Sequence, residues 1–137
     1  MRKKIILFSV LIVLGAAVIL ILTQQPDAGF NGERISDQGS FSLRFDWMNM
    51  TDSETLELRE GDALHVSWQI ESGHVDIVIR QKNEEPVYQA DDRAAGDKAA
   101  FYVEIPQTGS YTITVSAREA KGQIEFMRME NEQREGE

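Results

Sequence analysis

Histidine and carboxylate side chains are the groups with which this chain could do chemistry, and their spacing restricts what that chemistry is. The sequence has no cysteine. That removes disulfides, thiolate zinc sites, cysteine nucleophiles and a lipidated cysteine. The two imidazoles, His65 and His74, lie on the polar side of alternating segments. In the strand pairing expected below, His74 faces Glu71 and His65 faces Arg80. At about 3.3 Å per residue the two rings are then too far apart for one metal ion or one catalytic pair. The motifs G-x-S-x-G and H-E-x-x-H are absent. No catalytic residue and no cofactor is expected.

Carboxylates are more crowded. Glu84, Glu85, Asp91, Asp92 and Asp97 surround the short segment Val87–Ala90. Calcium takes several oxygen ligands, and the loops of a β-sandwich can supply them. The spacing fits no EF-hand loop, however, and Lys82, Arg93 and Lys98 are interleaved as counter-charges. The expectation is a solvated or salt-bridged acidic surface with no resident metal, and calcium binding by these five residues is the alternative. Paired carboxylates also serve glycosidases as acid and base. A small carboxylate hydrolase is therefore the enzyme-class alternative, although a small sandwich offers it little cleft. Tyr102 and Val78 fall on polar faces, and Tyr88 lies in a short strand. Exposed aromatics stack on sugars or anchor partners, while single exposed apolar residues are ordinary. Met48, Met50, Met127 and Met129 are expected to fill irregular gaps where the terminal strands meet. The alternative for them is an adaptable contact surface.

The elements that must position these groups show period-two alternation. Ser40–Trp47 puts Phe41, Leu43, Phe45 and Trp47 on one face. Thr55–Arg59, Ala63–Ile70, Val75–Gln81, Val87–Ala90, Lys98–Ile105, Ser110–Ala117 and Gln123–Met129 follow. Turn-forming residues separate them. A two-residue turn at Ser72-Gly73 would set Ile70 against Val75, Trp68 against Ile77 and Val66 against Ile79. A loop at Pro106–Ser110 would set Ile105 against Tyr111, Val103 against Ile113 and Phe101 against Val115. Both registers pair apolar with apolar. The expected fold is all-β: an antiparallel β-sandwich of about eight strands, jelly-roll or immunoglobulin-like. Trp47, Trp68 and Phe101 are its expected large core residues.

Ahead of this domain, Ile5–Leu22 reads IILFSVLIVLGAAVILIL. As a helix it would span roughly 27 Å, about the thickness of a bilayer's hydrocarbon core. Arg2-Lys3-Lys4 precede it and should stay inside. One N-terminal transmembrane signal-anchor is expected over residues 1–22, then a linker at 23–39, the sandwich at 40–129 and a disordered acidic tail at 130–137. The expected location is the cell membrane, single-pass, with the C-terminal domain extracytoplasmic. A cleaved signal, releasing a secreted domain, is the alternative. The formal charge of the 137 residues is −9. Because the first 22 residues hold three bases and no acid, the rest is more acidic still. Such a body repels nucleic acid, which is excluded as a partner. The expected partners are the membrane, through the N-terminal helix, and a protein or envelope polymer.

Phe101–Met129, FYVEIPQTGSYTITVSAREAKGQIEFMRM, carries an apolar strand, Gly109-Ser110-Tyr111, an alternating strand and Lys121-Gly122 before a final strand. This stretch resembles the last part of small bacterial membrane-anchored envelope β-sandwiches of the GOLD-like and pre-peptidase C-terminal types. The resemblance implies a non-catalytic accessory or interaction domain. In many sandwiches the Tyr after such a Gly ties its hydroxyl to nearby backbone at a corner. The resulting expectation is a non-catalytic binding domain. A carbohydrate- or calcium-dependent binding module is the alternative within the binding class.

Overall fold

The computed structural model describes residues 29–130. Seven antiparallel strands form one hydrogen-bonded sheet, and the described residues contain no helix. In chain order they are β1 (Phe30–Ser36), β2 (Ser40–Met48), β3 (Thr51–Leu58), β4 (Ala63–Gln81), β5 (Tyr88–Ala94), β6 (Lys98–Glu104) and β7 (Gly109–Met129). The expected anchor at 1–22 and all of the tail after Glu130 lie outside the described residues.

The two long strands set the architecture. The first half of β4 pairs with β6 and with the second half of β7. The second half of β4 pairs with β5 and with the first half of β7. β7 also takes β3 along its first half and β2 along its second, and β1 pairs with β2. One sheet therefore has two halves, β1-β2-β7-β4-β6 and β3-β7-β4-β5, folded onto each other where β4 and β7 bend. Contacts between rings join the halves: Tyr88 of β5 lies 4.9 Å from Phe101 of β6 and 6.5 Å from Trp68 of β4, centroid to centroid. The result is a β-sandwich whose layers share β4 and β7. An immunoglobulin-like sandwich has two separate sheets instead.

The bend is built from irregular pairing and close backbone approach. The β4–β7 register shifts twice, between Ile70 and Ser72 and between Ser72 and His74. Gly73 has φ +76°, and a Cβ there would lie 2.2 Å from the Glu119 carbonyl oxygen and 2.5 Å from Ala120 Cα. Only glycine fits between two backbones this close. At Gly122 a Cβ would come within 2.4 Å of the Gln69 carbonyl oxygen. Outside the bend, the Asn49 side-chain oxygen accepts the Glu119 N–H at 3.0 Å, and the Met50 carbonyl accepts the Ala117 N–H at 2.9 Å. The link between β2 and β3 thus braces the fold line.

These features correct several expectations. Ser72-Gly73 is no hairpin turn: it lies within β4, so Ile70 and Val75 follow one another along one strand. Likewise Lys121-Gly122 lies within β7. The loop at Pro106–Ser110 joins strands that do not pair with each other. Phe101 faces Val66 and Val103 faces Leu64, while Ile113 faces Glu54 and Ile79. Two pairs of expected strands merge, and β1 adds one within the expected linker at 23–39. Trp47 is 39% exposed and Met48 is fully buried, because the β2–β7 register shifts between Phe45 and Met48 and inverts the alternation. Phe101 is half-buried, while Trp68 is buried as expected.

Inward-facing Phe41, Leu43, Phe45, Leu64, Val66, Trp68, Ile70, Ile124 and Phe126 from one half meet Leu56, Leu58, Val75, Ile77, Ile79, Tyr111, Ile113 and Val115 from the other in one core. Tyr111 is fully buried, and its hydroxyl donates to the Gln107 carbonyl at 2.5 Å. That is the corner tie which the Gly-x-Tyr pattern implies. Burial pushes the phenol's pKa up. Each side of the sandwich is closed differently. On one, Arg34 of β1 reaches β3 across the gap, donating to Asp52 at 2.7 Å and to Glu54 at 3.0 Å while lying 4.9 Å over the Phe41 ring. On the other, Trp68, Tyr88 and Phe101 fill the gap, and the Trp68 indole N–H donates to Asp97 at 3.0 Å.

Candidate binding groove

Alternation sends every second side chain of the five-stranded half away from the core, and the register arranges these side chains in rows across the strands. One row runs Glu33, Arg44, Gln123, Gln69, Lys98 over β1, β2, β7, β4 and β6. The next runs Ile35, Ser42, Glu125, Ser67, Ala100 over the same strands. A third, over β2, β7, β4 and β6, runs Ser40, Met127, His65, Tyr102. The first two rows line a depression of about 510 Å³. Its shape follows from side-chain size. Ser42, Ser67 and Ala100 are short, so the second row is low except at Ile35 and Glu125. Arg44, Gln123, Gln69 and Lys98 rise beside it as a wall. The groove therefore crosses the strands.

Chemically the groove is mixed and balanced. It holds two carboxylates, two cations, two carboxamides and two hydroxyls. None of the ion pairs among the described residues engages Glu33, Arg44, Lys98 or Glu125. Their donors and acceptors are open to a ligand, as are the amides, which can both give and take hydrogen bonds. In the third row His65 packs on Tyr102 with ring centroids 5.0 Å apart, leaving Tyr102 44% exposed. Met127 beside them is 41% exposed, and Ile35 at the β1 end is 57% exposed.

A second polar cluster sits at the bend. The His74 Nδ1 lies 2.6 Å from Asp92, Arg118 donates to Asp76 at 2.7 Å and reaches Asp92 at 3.4 Å, and the Asp92 N–H donates to Asp76 at 2.7 Å. The Arg118 guanidinium, with help from that N–H, holds the Asp76 carboxyl below the usual aspartate range. All four side chains are satisfied by one another, which makes this a brace of the bend.

The structure separates the residues singled out as calcium candidates. Glu84 and Glu85 are exposed in the loop before β5, whereas Asp97 follows β5 at its other end. Asp97 is engaged by Trp68 and, at 3.6 Å, by Arg93. Asp92 belongs to the bend cluster, and Asp91 accepts from Gln89. Among the described residues no three His, Asp or Glu side chains are grouped as a metal site. His74 faces Ala94 and Arg118 rather than Glu71, and His65 faces Tyr102 and Met127 rather than Arg80. Of the methionines, Met48 fills the core, while Met50 and Met127 are exposed. Sequence reasoning missed the groove residues. Alternation marked most of them as polar-face positions, but nothing in one sequence sets which strands lie side by side.

No protein-family model matches the chain, and no curated protein matches it. Among solved structures, the pre-peptidase C-terminal domain of a collagenase from Bacillus anthracis is 16% identical over 71% of this chain and 88% of that one, with a TM-score of 0.43. It is of one of the types that Phe101–Met129 resembles. TmCBM61, solved in complex with β-1,4-galactotriose, is 18% identical over 68% of this chain and 62% of that one, at a TM-score of 0.40. A structure described as CBM4 is 12% identical over 76% of this chain and 79% of that one, at 0.39.

Proposed function

We propose that the chain is a non-catalytic binding module, anchored in the cell membrane by Ile5–Leu22 with its sandwich outside the cytoplasm, and that it holds an extended envelope polymer in the groove across β1, β2, β7, β4 and β6. The observation that carries this reading is the pair of complete cross-strand rows, with unpaired charges and amides beside the short side chains of Ser42, Ser67 and Ala100. A groove crossing five strands is about 19 Å long at the usual strand spacing, long enough for a chain rather than a single small molecule. Its balanced charge and its amides favour a hydroxyl- and amide-bearing polymer over a strongly anionic or cationic one. The groove's two carboxylates are not register partners of one another. Glu33 and Glu125 stand on strands with β2 between them, and Arg44 faces Glu33.

The test is co-sedimentation of the sandwich, residues 29–130, with insoluble envelope polysaccharide and peptidoglycan. We expect saturable binding to one of them that is lost when Gln69→Ala and Gln123→Ala are combined, since both positions are exposed and the fold does not need their side chains. Binding that survives the double substitution, or release of soluble fragments from the polymer, would contradict the reading.

A further inference from the structure

Among the described residues, the five exposed large hydrophobic side chains fall into two groups. Ile35, Tyr102 and Met127 belong to the groove face. Trp47 and Met50 do not: they sit at the bend end of the sandwich, around the point where the described chain begins. Gly29 accepts the Asn49 N–H at 2.7 Å, a Cβ on Gly29 would lie 3.3 Å from that of Met50, and Trp47 pairs with Asn31. An exposed indole and a thioether beside the chain's point of entry have no role in the groove.

Where the chain comes from gives them one. The apolar run ends at Leu22, seven residues before Gly29. Seven residues reach at most about 25 Å even when fully extended. If Ile5–Leu22 spans the bilayer, as proposed above, this short tether would hold the bend end close to the membrane. At the bend end His74 and Arg118 pair with Asp92, Arg118 with Asp76 and Lys121 with Glu71, while Asp46 and Glu119 are exposed. Trp is favoured at the lipid–water interface because its ring is apolar and its N–H is polar. Tethering supplies a high local concentration, so a small apolar contact suffices.

We infer that the bend end docks on the bilayer surface through Trp47 and Met50, which orients the groove parallel to the membrane. The orientation follows from the strands. They run from the bend end to the opposite end, and the groove crosses them. The inference rests on the reading of Ile5–Leu22 as an anchor.

The experiment uses the full chain reconstituted into phosphatidylethanolamine–phosphatidylglycerol vesicles, with and without lipids brominated on the acyl chains. Trp47 and Trp68 are the only tryptophans, and Trp68 is buried. Subtracting the signal of Trp47→Phe therefore isolates the exposed indole. We expect the chain to stay with alkali-washed vesicles, and the Trp47 signal to be quenched by the brominated lipid and shielded from iodide. A chain that stays on the vesicles while Trp47 is open to iodide and untouched by bromine would overturn the docking alone. A chain that washes off would overturn the anchor and the docking with it.

Discussion

Tyr111 shows how much one side chain can hold. Its ring is fully buried in the core, and its hydroxyl closes the corner before β7 by donating to Gln107. Tyr111→Phe keeps the ring but leaves the Gln107 carbonyl without this donor. The expected cost is about 1–2 kcal/mol, read as a lower denaturant midpoint with an unchanged slope. An unchanged midpoint would mean that the corner bond contributes nothing. Acid acts on single residues too. Arg34 lowers the Glu54 pKa and Arg118 that of Asp76, from ordinary values of 4.5 and 3.8. Groups with depressed folded-state values stabilise the fold above those ordinary values and lose that contribution as pH falls through the lower ones. Stability is therefore expected to be flat from neutral pH down to about 5 and to fall below about 4. Because these side chains are partly exposed, salt should reduce the effect. Thermal melts across that range, at low and high salt, measure both.

At the scale of the element, β4 and β7 show why part of the fold was legible and part was not. The alternation of Ala63–Ile70 and of Val75–Gln81 correctly marked strand and inward face, including Trp68. The five-residue step from Ile70 to Val75 fits a two-residue hairpin and a bulged, continuous strand equally well. Choosing between them depends on the backbone of β7 lying against Gly73, a long-range contact that no local pattern carries. Phe30–Ser36 was invisible for a related reason. β1 buries almost nothing, with Phe30 and Ile35 as its only large apolar side chains, so it has no apolar stripe. The groove inherits both problems, since its rows need β1 and the true neighbours of β4. The continuous-strand account makes its own prediction. Gly73→Ala puts a methyl group into the Glu119–Ala120 backbone at positive φ, and should cost roughly 2–4 kcal/mol. A hairpin tip open to solvent would tolerate the change at less than about 1 kcal/mol. Chemical denaturation of the variant separates the two.

At the scale of the whole molecule, the sandwich has two unlike ends and two unlike faces. The described chain begins at the bend end and leaves at the other, where Glu130 follows β7. Of the two outer faces, that of β3-β7-β4-β5 carries hydroxyls already paired across strands: Thr51 with Ser116, Ser53 with Thr114 and Thr55 with Thr112. The face of β1-β2-β7-β4-β6 carries the open charges and amides. A binding role on the second face alone is the central claim, and amide-resolved NMR tests it most directly. Backbone resonances of the sandwich, residues 29–130, would be followed during titration with soluble fragments of peptidoglycan and of envelope polysaccharide. The account predicts that one of these shifts the amides of Arg44, Gln69, Lys98, Gln123 and Glu125 together, and leaves Ser53, Thr114 and Val78 in place. Shifts confined to the hydroxyl-paired face or to the Glu84–Asp97 region, or none with either polymer, would contradict it.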